Sequence, residues 1–356
     1  MEIAKPIRMA RMVNFFRGHT YAIPRIIDNY FRRYVLRQQS LRYLEVALNY
    51  NCNADCFFCS CSRTKFRERD DVQGKSFTLE EIESVVVSAK KCNTIMIGIA
   101  GGEPFLSPLL EESVRIIRKH KILPLVVTNG ILASKERLVR LKEAGLCVFC
   151  VSLHAHGKQH DEIVGVPGAY EKALNALFIA KEIGLAPQGC LTPTHESIKS
   201  GEFERLVNLL TKEKIPMTLD YPAPSGKTQG DLDLMLTSSE IKYVRNLCAT
   251  NPYVSLDLQN NYDGYSCPAG DVCAYVTAYG EVLPCPFIQI SYGNLRQEPL
   301  DKIYARMSSA PVFKKHAQYC LAGESKKFVK DYLFPIGEKP PLKVNDHPLR
   351  DEGLLE

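Results

Sequence analysis

The 356-residue sequence lacks three features that would each place it in a different class of protein. It has no run of about 18 apolar residues, which argues against a membrane-spanning helix. Its first residues carry charge and no continuous apolar stretch precedes a small-residue cleavage site, so we expect a cytoplasmic rather than a secreted protein. No low-complexity tract or fixed-period repeat is found. The 45% apolar and 24% charged residues are typical of a soluble globular protein.

Excess positive charge is confined to the start of the chain. The net charge is +5, yet nine basic and only two acidic residues precede Tyr43. Residues 1–43 therefore form a basic N-terminal extension. From Ile23 to Val35 apolar residues fall near helical spacing with arginines opposite, and such a helix either contacts an anionic membrane surface, grips a partner or docks on its own protein. One basic helix is too small a surface for a nucleic-acid partner.

Strand-like and helical patterns alternate through the middle of the chain. Apolar β-branched runs, typical of parallel strands buried on both faces, occupy residues 44–50, 94–100, 123–128, 147–153, 187–192 and 216–221. Thr78 to Glu81 is a capping-box sequence, and Gly145 is placed to end a helix. The pattern predicts six βα units in residues 44–230, as an open doubly wound sheet or an incomplete barrel, with the ligand site at the carboxyl ends of the strands.

Three of the thirteen cysteines follow the first predicted strand closely. Cys52, Cys56 and Cys59 form C-x3-C-x2-C, which lets one short loop present three thiolates to a common point. An odd cysteine count in a chain without an export signal favours metal or redox chemistry over disulfides. A [4Fe-4S] cluster with one open iron, a zinc site completed by Cys61, and free thiols all remain compatible with this spacing.

With the segments that follow, this loop resembles the radical S-adenosylmethionine (radical SAM) superfamily. Cys52, Cys56, Phe58 and Cys59 match its C-x3-C-x-aromatic-C pattern, and "GGEP" at Gly101, Gly102, Glu103 and Pro104 matches its second-strand element. "VVTNG" and the segment through Asp161, Gly165 and Gly168 follow in the family's order. The resemblance implies a partial (β/α)6 TIM-like barrel that binds a [4Fe-4S] cluster and S-adenosylmethionine.

The resemblance also implies roles for individual residues. The Gly101–Pro104 segment is expected to bind the methionine ammonium, and the glycine pair to let the backbone approach that ligand closely. Thr128, Asn129 and Ser152 fall where ribose and carboxylate contacts occur, and Leu191 falls on the adenine-contacting element. His154, Asp220 and Tyr221, with His156 and His160, are predicted on the rim, as substrate-orienting or proton-moving groups or as ordinary loop residues.

A second group of cysteines lies in the C-terminal part. Cys267 and Cys285 flank a hairpin whose turn we predict at Ala278 to Glu281. The sequence from Gly280 through Cys285 to Tyr304 resembles the SPASM or Twitch extension of radical SAM enzymes, but the further C-x2-C-x5-C run of a full SPASM extension is missing. We therefore predict one auxiliary [4Fe-4S] cluster, bound by Cys267, Cys273, Cys285 and Cys320, with zinc or no metal as alternatives.

These patterns divide the chain into the extension (1–43), a radical SAM core (44–230), a small α+β auxiliary-cluster module (231–330) and a C-terminal tail (331–356). The other cysteines are expected to be small buried hydrophobes: Cys92, Cys147, Cys150, Cys190 and Cys248. Cys61 is expected to be a structural or spectator thiol.

The implied function is reductive cleavage of S-adenosylmethionine to a 5′-deoxyadenosyl radical, which abstracts hydrogen from a substrate. An oxidation or bond-forming modification of a small-molecule or lipid-linked substrate is the leading hypothesis. The implied partners are that substrate and a low-potential electron donor such as flavodoxin or ferredoxin. A ribosomal peptide maturase and a non-catalytic zinc or iron–sulfur scaffold are the competing hypotheses.

Overall fold

A nine-stranded, mostly parallel sheet forms the centre of the molecule. The computed structural model describes residues 4–61, 76–257, 266–314, 317–337 and 341–355. Within these ranges the strands are β1 Tyr43–Ala47, β2 Met96–Ala100, β3 Leu123–Thr128, β4 Val148–Ser152, β5 Ala186–Leu191, β6 Met217–Leu219, β7 Val254–Leu256, β8 Cys273–Val276, β9 Val282–Leu283, β10 Ile290–Ser291 and β11 Leu342–Lys343. The sheet order is β7-β6-β5-β4-β3-β2-β1-β8-β9, and β10 and β11 pair separately. All neighbours are parallel except β8 and β9.

Helices follow most of the strands. They are α1 Ala4–Arg17, α2 Ile23–Tyr30, α3 Leu79–Lys91, α4 Leu110–Lys119, α5 Lys135–Ala144, α6 Lys158–Val164, α7 Ala169–Glu182, α8 His195–Ser200, α9 Glu202–Lys212, α10 Ser238–Thr250, α11 Leu300–Ser309, α12 Pro311–Lys314, α13 Leu321–Glu324 and α14 Lys326–Phe328. A π-helical turn, Phe31–Val35, continues α2, and a second one is Val329–Leu333. Short 3₁₀ turns lie at Thr20–Ala22, Pro104–Leu106, Gly226–Thr228, Leu232–Leu234, Phe334–Ile336, Val344–Asp346 and Pro348–Arg350.

Two helix boundaries that the sequence predicts are confirmed. The Thr78 hydroxyl accepts a hydrogen bond from the Glu81 N–H, and the Glu81 carboxylate accepts one from the Thr78 N–H, which closes the capping box of α3. Gly145 ends α5 with φ of 98°. This left-handed conformation costs glycine little because it has no Cβ.

The strands alternate between an outer core and an interior lumen, as the two-residue repeat of a strand requires. Outward side chains such as Leu44 and Ile97 join the main apolar core with the helices. Inward positions on β1 carry Tyr43 and Glu45 instead. Gly98 on β2 makes room for them, because a Cβ there would lie 2.1 Å from the Tyr43 hydroxyl oxygen. The sheet thus curves as a partial barrel with polar groups inside.

The sheet is wider than the six strands predicted. β7 extends it beyond β6, and β8 pairs in parallel with β1 from Tyr43↔Cys273 to Val46↔Val276. β7 lies within residues 231–330, which the sequence assigned to the C-terminal module instead of the barrel. β8 belongs to the predicted hairpin, whose turn at Gly280 (φ 90°) and antiparallel partner β9 are confirmed. The C-terminal module therefore continues the barrel sheet.

Two of the cysteines expected to be free hydrophobes are instead bonded. Cys150 on β4 and Cys190 on β5 form a disulfide, with their Cα atoms 6.1 Å apart. Both occupy inward positions of neighbouring strands, where apolar packing alone had been expected. Cys92, Cys147 and Cys248 are buried free thiols, as predicted.

The N-terminal extension closes the amino end of the barrel. Ala22, Ile26 and Tyr30 pack against Leu125 and Cys150 in an apolar cluster at the start of β3 and β4. This placement favours docking on the protein's own body over the membrane contact considered from the sequence. Among the residues described, no helix has the length and apolar character needed to cross a membrane.

Polar contacts fix the extension to the body. The Arg33 guanidinium donates two hydrogen bonds to the Asp271 carboxylate, at 2.9 and 2.6 Å. The Asn29 side-chain amide donates to the Asn93 carbonyl at 2.8 Å. Arg8 donates to the Val254 carbonyl at 2.8 Å. The extension is thereby tied to the C-terminal module as well as to the barrel.

We expect Arg33→Ala to lower the free energy of unfolding by about 2 to 3 kcal/mol, because it leaves a largely buried carboxylate without its cation. Both side chains of the pair are only 13% and 12% exposed. Arg32→Ala is the matched control, since its pair with Asp28 is 47% exposed on both sides and should contribute less than about 0.5 kcal/mol. Urea denaturation measures both, and equal losses would contradict the anchoring role of Arg33.

Candidate functional site

The loop that follows β1 carries Cys52, Cys56 and Cys59 and is held by hydrogen bonds between its backbone and three distant segments. The N–H groups of Asp55 and Phe57 donate to carbonyls at the end of α6, at 2.9 and 3.2 Å. The Lys227 N–H donates to the Cys59 carbonyl at 3.0 Å. The Gln289 side-chain amide donates to the Ser60 carbonyl at 2.5 Å. The barrel, the β6 loop and the C-terminal module all contribute to the position of this loop.

Burial and mutual repulsion dominate the chemistry of these thiols. Burial, and after it the neighbouring cysteines, raise the pKa of Cys56 and of Cys59 to about 12. The Cys52 sulfur accepts from the Ala54 N–H at 3.4 Å and faces the Asn129 amide at 3.8 Å. Because burial favours the neutral thiols, their ionisation requires a cationic partner. The donor set therefore fits an iron–sulfur cluster with three cysteine ligands.

Cys61 lies in a different environment. Its thiol is 3.3 Å from the Tyr275 hydroxyl, in an apolar cluster with Tyr50 and Ala278. Within the described ranges, no three cysteine, histidine or carboxylate side chains converge closely enough to enclose a single metal ion. Tetrahedral zinc requires four ligands within about 2.3 Å of one point. The Tyr275 contact and the apolar surroundings fit Cys61 as a structural thiol.

The glycine pair after β2 is required by packing within the protein. A Cβ on Gly101 (φ 132°) would lie 2.3 Å from the Asn49 carbonyl oxygen, and one on Gly102 would lie 2.2 Å from that of Asn51. The Gly102 N–H donates to the Asn49 carbonyl at 2.8 Å. The absence of a Cβ admits the backbone that leads into the cysteine loop. The close approach of a ligand to the same glycines stays a prediction.

Glu103 is fully buried and its carboxylate is fully engaged. Oε1 accepts from the Thr128 hydroxyl at 2.7 Å and the Phe105 N–H at 2.9 Å, and Oε2 accepts from the Asn129 N–H at 2.9 Å. Burial raises the pKa of Glu103, and these hydrogen bonds oppose the rise. The carboxylate therefore joins the ends of β2 and β3, and Pro104 beside it is buried at the start of a 3₁₀ turn.

The other predicted ligand contacts are only partly brought together. Asn129 lies beside the cysteine loop, where its amide donates to the Asn53 side-chain oxygen at 2.8 Å. Ser152 is half-buried at the end of β4. The Leu191 side chain is buried in the outer core, and its carbonyl accepts from the Asp220 N–H at 3.0 Å. A contact between Leu191 and adenine stays a prediction.

His154 and His160 are buried, although the sequence placed them on the rim. Nδ1 of His154 accepts from the Thr192 N–H, and Nδ1 of His160 accepts from the His154 N–H, both at 3.2 Å. Burial lowers the pKa of His154 to about 3 and that of His160 to about 4. The His154 ring packs edge-on against Phe58 of the cysteine loop at 5.0 Å. His154 therefore contacts both the end of β5 and the cysteine loop, which gives it a positioning role.

Asp220 and Tyr221, which follow β6, lie in different environments. Asp220 lies near Glu45 and Asp257, and burial followed by these two carboxylates raises its pKa well above the usual range. Burial also raises the pKa of Glu45 to about 7. Tyr221 is buried in the outer core against Gly323. Sequence reasoning missed Glu45 and Asp257, although an acid inside the apolar run "YLEVA" was a signal for a lumen-facing group.

The four C-terminal cysteines lie near one another. Burial raises the pKa of each, and Cys267 interacts electrostatically with Cys273, Cys285 and Cys320. Backbone N–H groups donate hydrogen bonds to these sulfurs. The Gly323 N–H donates to the Cys320 sulfur at 3.3 Å. Cys267 and Cys285 receive further backbone N–H hydrogen bonds. Buried sulfurs with backbone donors suit iron–sulfur ligation.

Comparisons with known proteins agree with this architecture. A match to the radical SAM superfamily covers residues 46–220, and a match to the SPASM iron–sulfur cluster-binding domain covers residues 267–322. An AdoMet-dependent heme synthase of Methanosarcina barkeri is 22% identical over 77% of this chain and 84% of that protein. A probable GTP 3′,8-cyclase of Thermoplasma volcanium is 32% identical over 40% of this chain and 42% of that protein.

Solved structures share the fold. Streptococcus suis SuiB bound to the precursor peptide SuiA superimposes with a TM-score of 0.59 at 18% identity, covering 76% of this chain and 67% of that one. Native anSMEcpe with bound AdoMet gives a TM-score of 0.57 at 15% identity, covering 88% and 96%. At these identities the likeness establishes the partial barrel and its C-terminal module as a fold.

We expect Gly102→Ala to reduce iron incorporation at least about twofold, because the added Cβ meets backbone that cannot move without the cysteine loop. The control is Gly18→Ala, whose Cβ would be 3.6 Å from its nearest neighbour. Iron per chain after anaerobic reconstitution is the measurement. Full iron content in Gly102→Ala would show that the packing at Asn51 does not position the loop.

The histidine pair predicts a pH dependence of stability. Both pKa values are lowered in the folded state, so the contribution is present above pH 6.5 and is lost as pH falls from 6.5 toward 4. Each histidine contributes a slope of up to about 1.4 kcal/mol per pH unit. His154→Asn keeps an acceptor for Thr192 and should reduce the loss between pH 7.5 and 5.5 by about 1 kcal/mol. Urea denaturation at pH 7.5 and 5.5 measures this loss. An equal loss in the variant and in wild type would contradict a neutral buried His154.

Proposed function

The chain belongs to the radical SAM superfamily and carries a SPASM domain, and we propose that it cleaves S-adenosylmethionine reductively and abstracts a hydrogen atom from a substrate in the barrel lumen. Its cofactors are a [4Fe-4S] cluster, S-adenosylmethionine and an auxiliary iron–sulfur cluster. The observation that carries the proposal is the three-cysteine loop, held at the carboxyl end of β1 by the Gly102 and Glu103 segment. When bound, the first cluster and S-adenosylmethionine supply a 5′-deoxyadenosyl radical.

Cys52, Cys56 and Cys59 would hold the first cluster, and Cys267, Cys273, Cys285 and Cys320 the auxiliary one. The engagement of the Glu103 carboxylate gives that residue a positioning role. The methionine ammonium would then be bound by backbone carbonyls of the Gly101–Pro104 segment. Thr128 and Asn129 keep that segment against the cysteine loop, and Ser152 lies on the lumen side of β4.

The carboxylates of the lumen suit the removal of a proton from an oxidised substrate. Burial and the charges of Asp257 and Glu45 disfavour the ionisation of Asp220, and burial and the charge of Asp257 disfavour that of Glu45. Glu45 has a raised pKa of about 7 and would exchange a proton near neutral pH. An auxiliary cluster in the C-terminal module would be the acceptor for the electron that the substrate radical loses, while a lumen carboxylate takes the proton. An oxidation, or a bond formation with net oxidation, is the reaction class that we propose.

A small molecule, free or lipid-linked, is the substrate class that we favour. Three curated relatives that align along 76 to 77% of the chain are named for heme and Fe-coproporphyrin III synthesis. The GTP cyclases align with a shorter part of it. These names support a compact organic substrate over a ribosomal peptide. The electron donor would be a low-potential protein such as flavodoxin or ferredoxin.

The test is S-adenosylmethionine cleavage by anaerobically reconstituted protein with dithionite, followed as 5′-deoxyadenosine. Wild type should hold about seven to eight irons and form the nucleoside. The Cys52/Cys56/Cys59 triple-alanine variant should lose about four irons and nearly all cleavage, whereas Cys61→Ala should keep both. A colourless wild type that holds zinc, or a triple variant as active as its parent, would refute the proposal.

The two cluster sites are separable in the same assay. Cys267→Ala/Cys285→Ala should also lose about four irons, yet retain cleavage of S-adenosylmethionine in the absence of substrate. Loss of cleavage with full retention of the first cluster's absorbance would assign the auxiliary cysteines a different role.

A further inference from the structure

One apolar surface of the N-terminal extension is left uncovered by the rest of the chain that the structure describes. Ile23, Ile27, Phe31 and Val35 are 38%, 63%, 49% and 62% exposed. We call these four residues the extension stripe. Soluble monomers rarely expose contiguous apolar groups of this size without an interaction that covers them.

The stripe is straight because of the way its helix is built. Ile23 and Ile27 lie on α2, and Phe31 and Val35 lie on the π turn that continues it. In an α-helix, residues four apart drift slowly around the axis. A π turn holds more residues per turn and reverses that drift, so Val35 returns to the line of Ile27.

The opposite side of the same helix is fixed. Ile26 and Tyr30 pack into the amino end of the barrel, Asn29 donates to the Asn93 carbonyl, and Arg33 pairs with Asp271. The stripe is therefore presented on a rigid support, and the extension cannot turn it inward without losing these contacts.

The charges beside the stripe do not favour an anionic lipid surface. The arginines of the extension are largely directed at the protein: Arg8 and Arg11 donate to carbonyls at 2.8 and 2.9 Å, and Arg33 pairs with Asp271. Next to the stripe, Asp28 and Arg32 form an ion pair at 2.9 Å. An acid and a base four residues apart make a locally neutral, self-complementary edge.

We propose that the extension stripe is the interface between two copies of this chain, paired antiparallel about a two-fold axis near Asn29. In that arrangement Ile27 lies opposite Phe31 of the second copy, and Ile23 opposite Val35. Asp28 also comes within reach of Arg32 of the second copy. The midpoint between residues 28 and 32 is residue 30, which is one residue from the proposed axis. A two-fold interface requires such self-complementarity, and both the apolar and the charged residues satisfy it.

The apolar half of the proposal is tested by the sedimentation of full-length reconstituted protein. Wild type should be a dimer at micromolar concentration. Ile27→Glu and Phe31→Glu should each raise the dissociation constant at least about 100-fold, because they place unpaired charges in the interface. Leu132→Glu is the control, since Leu132 is a 37% exposed apolar residue elsewhere, and it should remain dimeric.

The charged half is tested by variants of exposed residues that should leave the fold intact. Asp28→Arg and Arg32→Asp should each weaken self-association, because like charges then face each other. Mixed together, the two variants should form a heterodimer, and the double variant D28R/R32D should pair as wild type does.

Three results would overturn the proposal. They are a wild type that stays monomeric at about 100 µM, a dimer that Ile27→Glu leaves intact, and a monomer that pellets with vesicles of phosphatidylserine and phosphatidylcholine through the stripe. The last result would assign the surface to lipid instead. Far-UV circular dichroism and iron content verify that each variant is folded.

Discussion

The buried carboxylate of Glu103 is the contact on which the arrangement of the site depends. It takes hydrogen bonds from Thr128 and Asn129 at the end of β3, while its own N–H donates to the Asn51 carbonyl at 2.7 Å. One side chain and its peptide group thus hold the ends of three strands in register. A carboxylate removed from water is tolerated because these donors replace its hydration. This hydrogen-bond network fixes the position of the cysteine loop, which begins directly after Asn51.

Local signals in the sequence were sufficient to predict much of this framework. Thr78, Gly145 and Gly280 mark a helix start, a helix end and a hairpin turn, and each lies where the structure has it. Each of these residues determines the backbone conformation only of its neighbours in the sequence. The sequence alone is therefore enough to predict the helix start, the helix end and the turn. The six central strands follow for the same reason, since an apolar β-branched run is visible without knowledge of its partners.

Contacts between distant segments were not visible in the sequence. The pairing of β8 with β1 joins residues more than 200 positions apart, and the Cys150–Cys190 disulfide depends on two strands being neighbours. The packing of the glycine pair against the Asn49 and Asn51 backbone is a further contact of this kind. Motif spacing identifies which residues matter, but only packing shows that Gly102 accommodates the Asn51 backbone.

The β8 pairing changes how the C-terminal module relates to the barrel. Cys273 lies on β8 directly beside Tyr43, and Tyr275 on the same strand meets the thiol of Cys61, two residues beyond Cys59. The two cysteine groups are therefore joined through one strand and one thiol–hydroxyl contact. A module attached by a flexible linker could not hold the groups at a fixed separation, whereas a shared sheet can.

The extension completes the enclosure from the other end. A carbon-centred radical reacts with whatever it meets, so its formation requires a lumen from which water and other reactants are kept away. Ile26 and Tyr30 fill the amino end of the barrel with apolar side chains, and the Arg33–Asp271 pair ties that closure to the same module that carries the auxiliary cysteines. Access is then left to the carboxyl ends of the strands, where the cysteine loop lies. The basic residues of the extension, for which the sequence left a membrane surface, a partner and the protein's own body as alternatives, thus contribute to closing the barrel around its own chemistry.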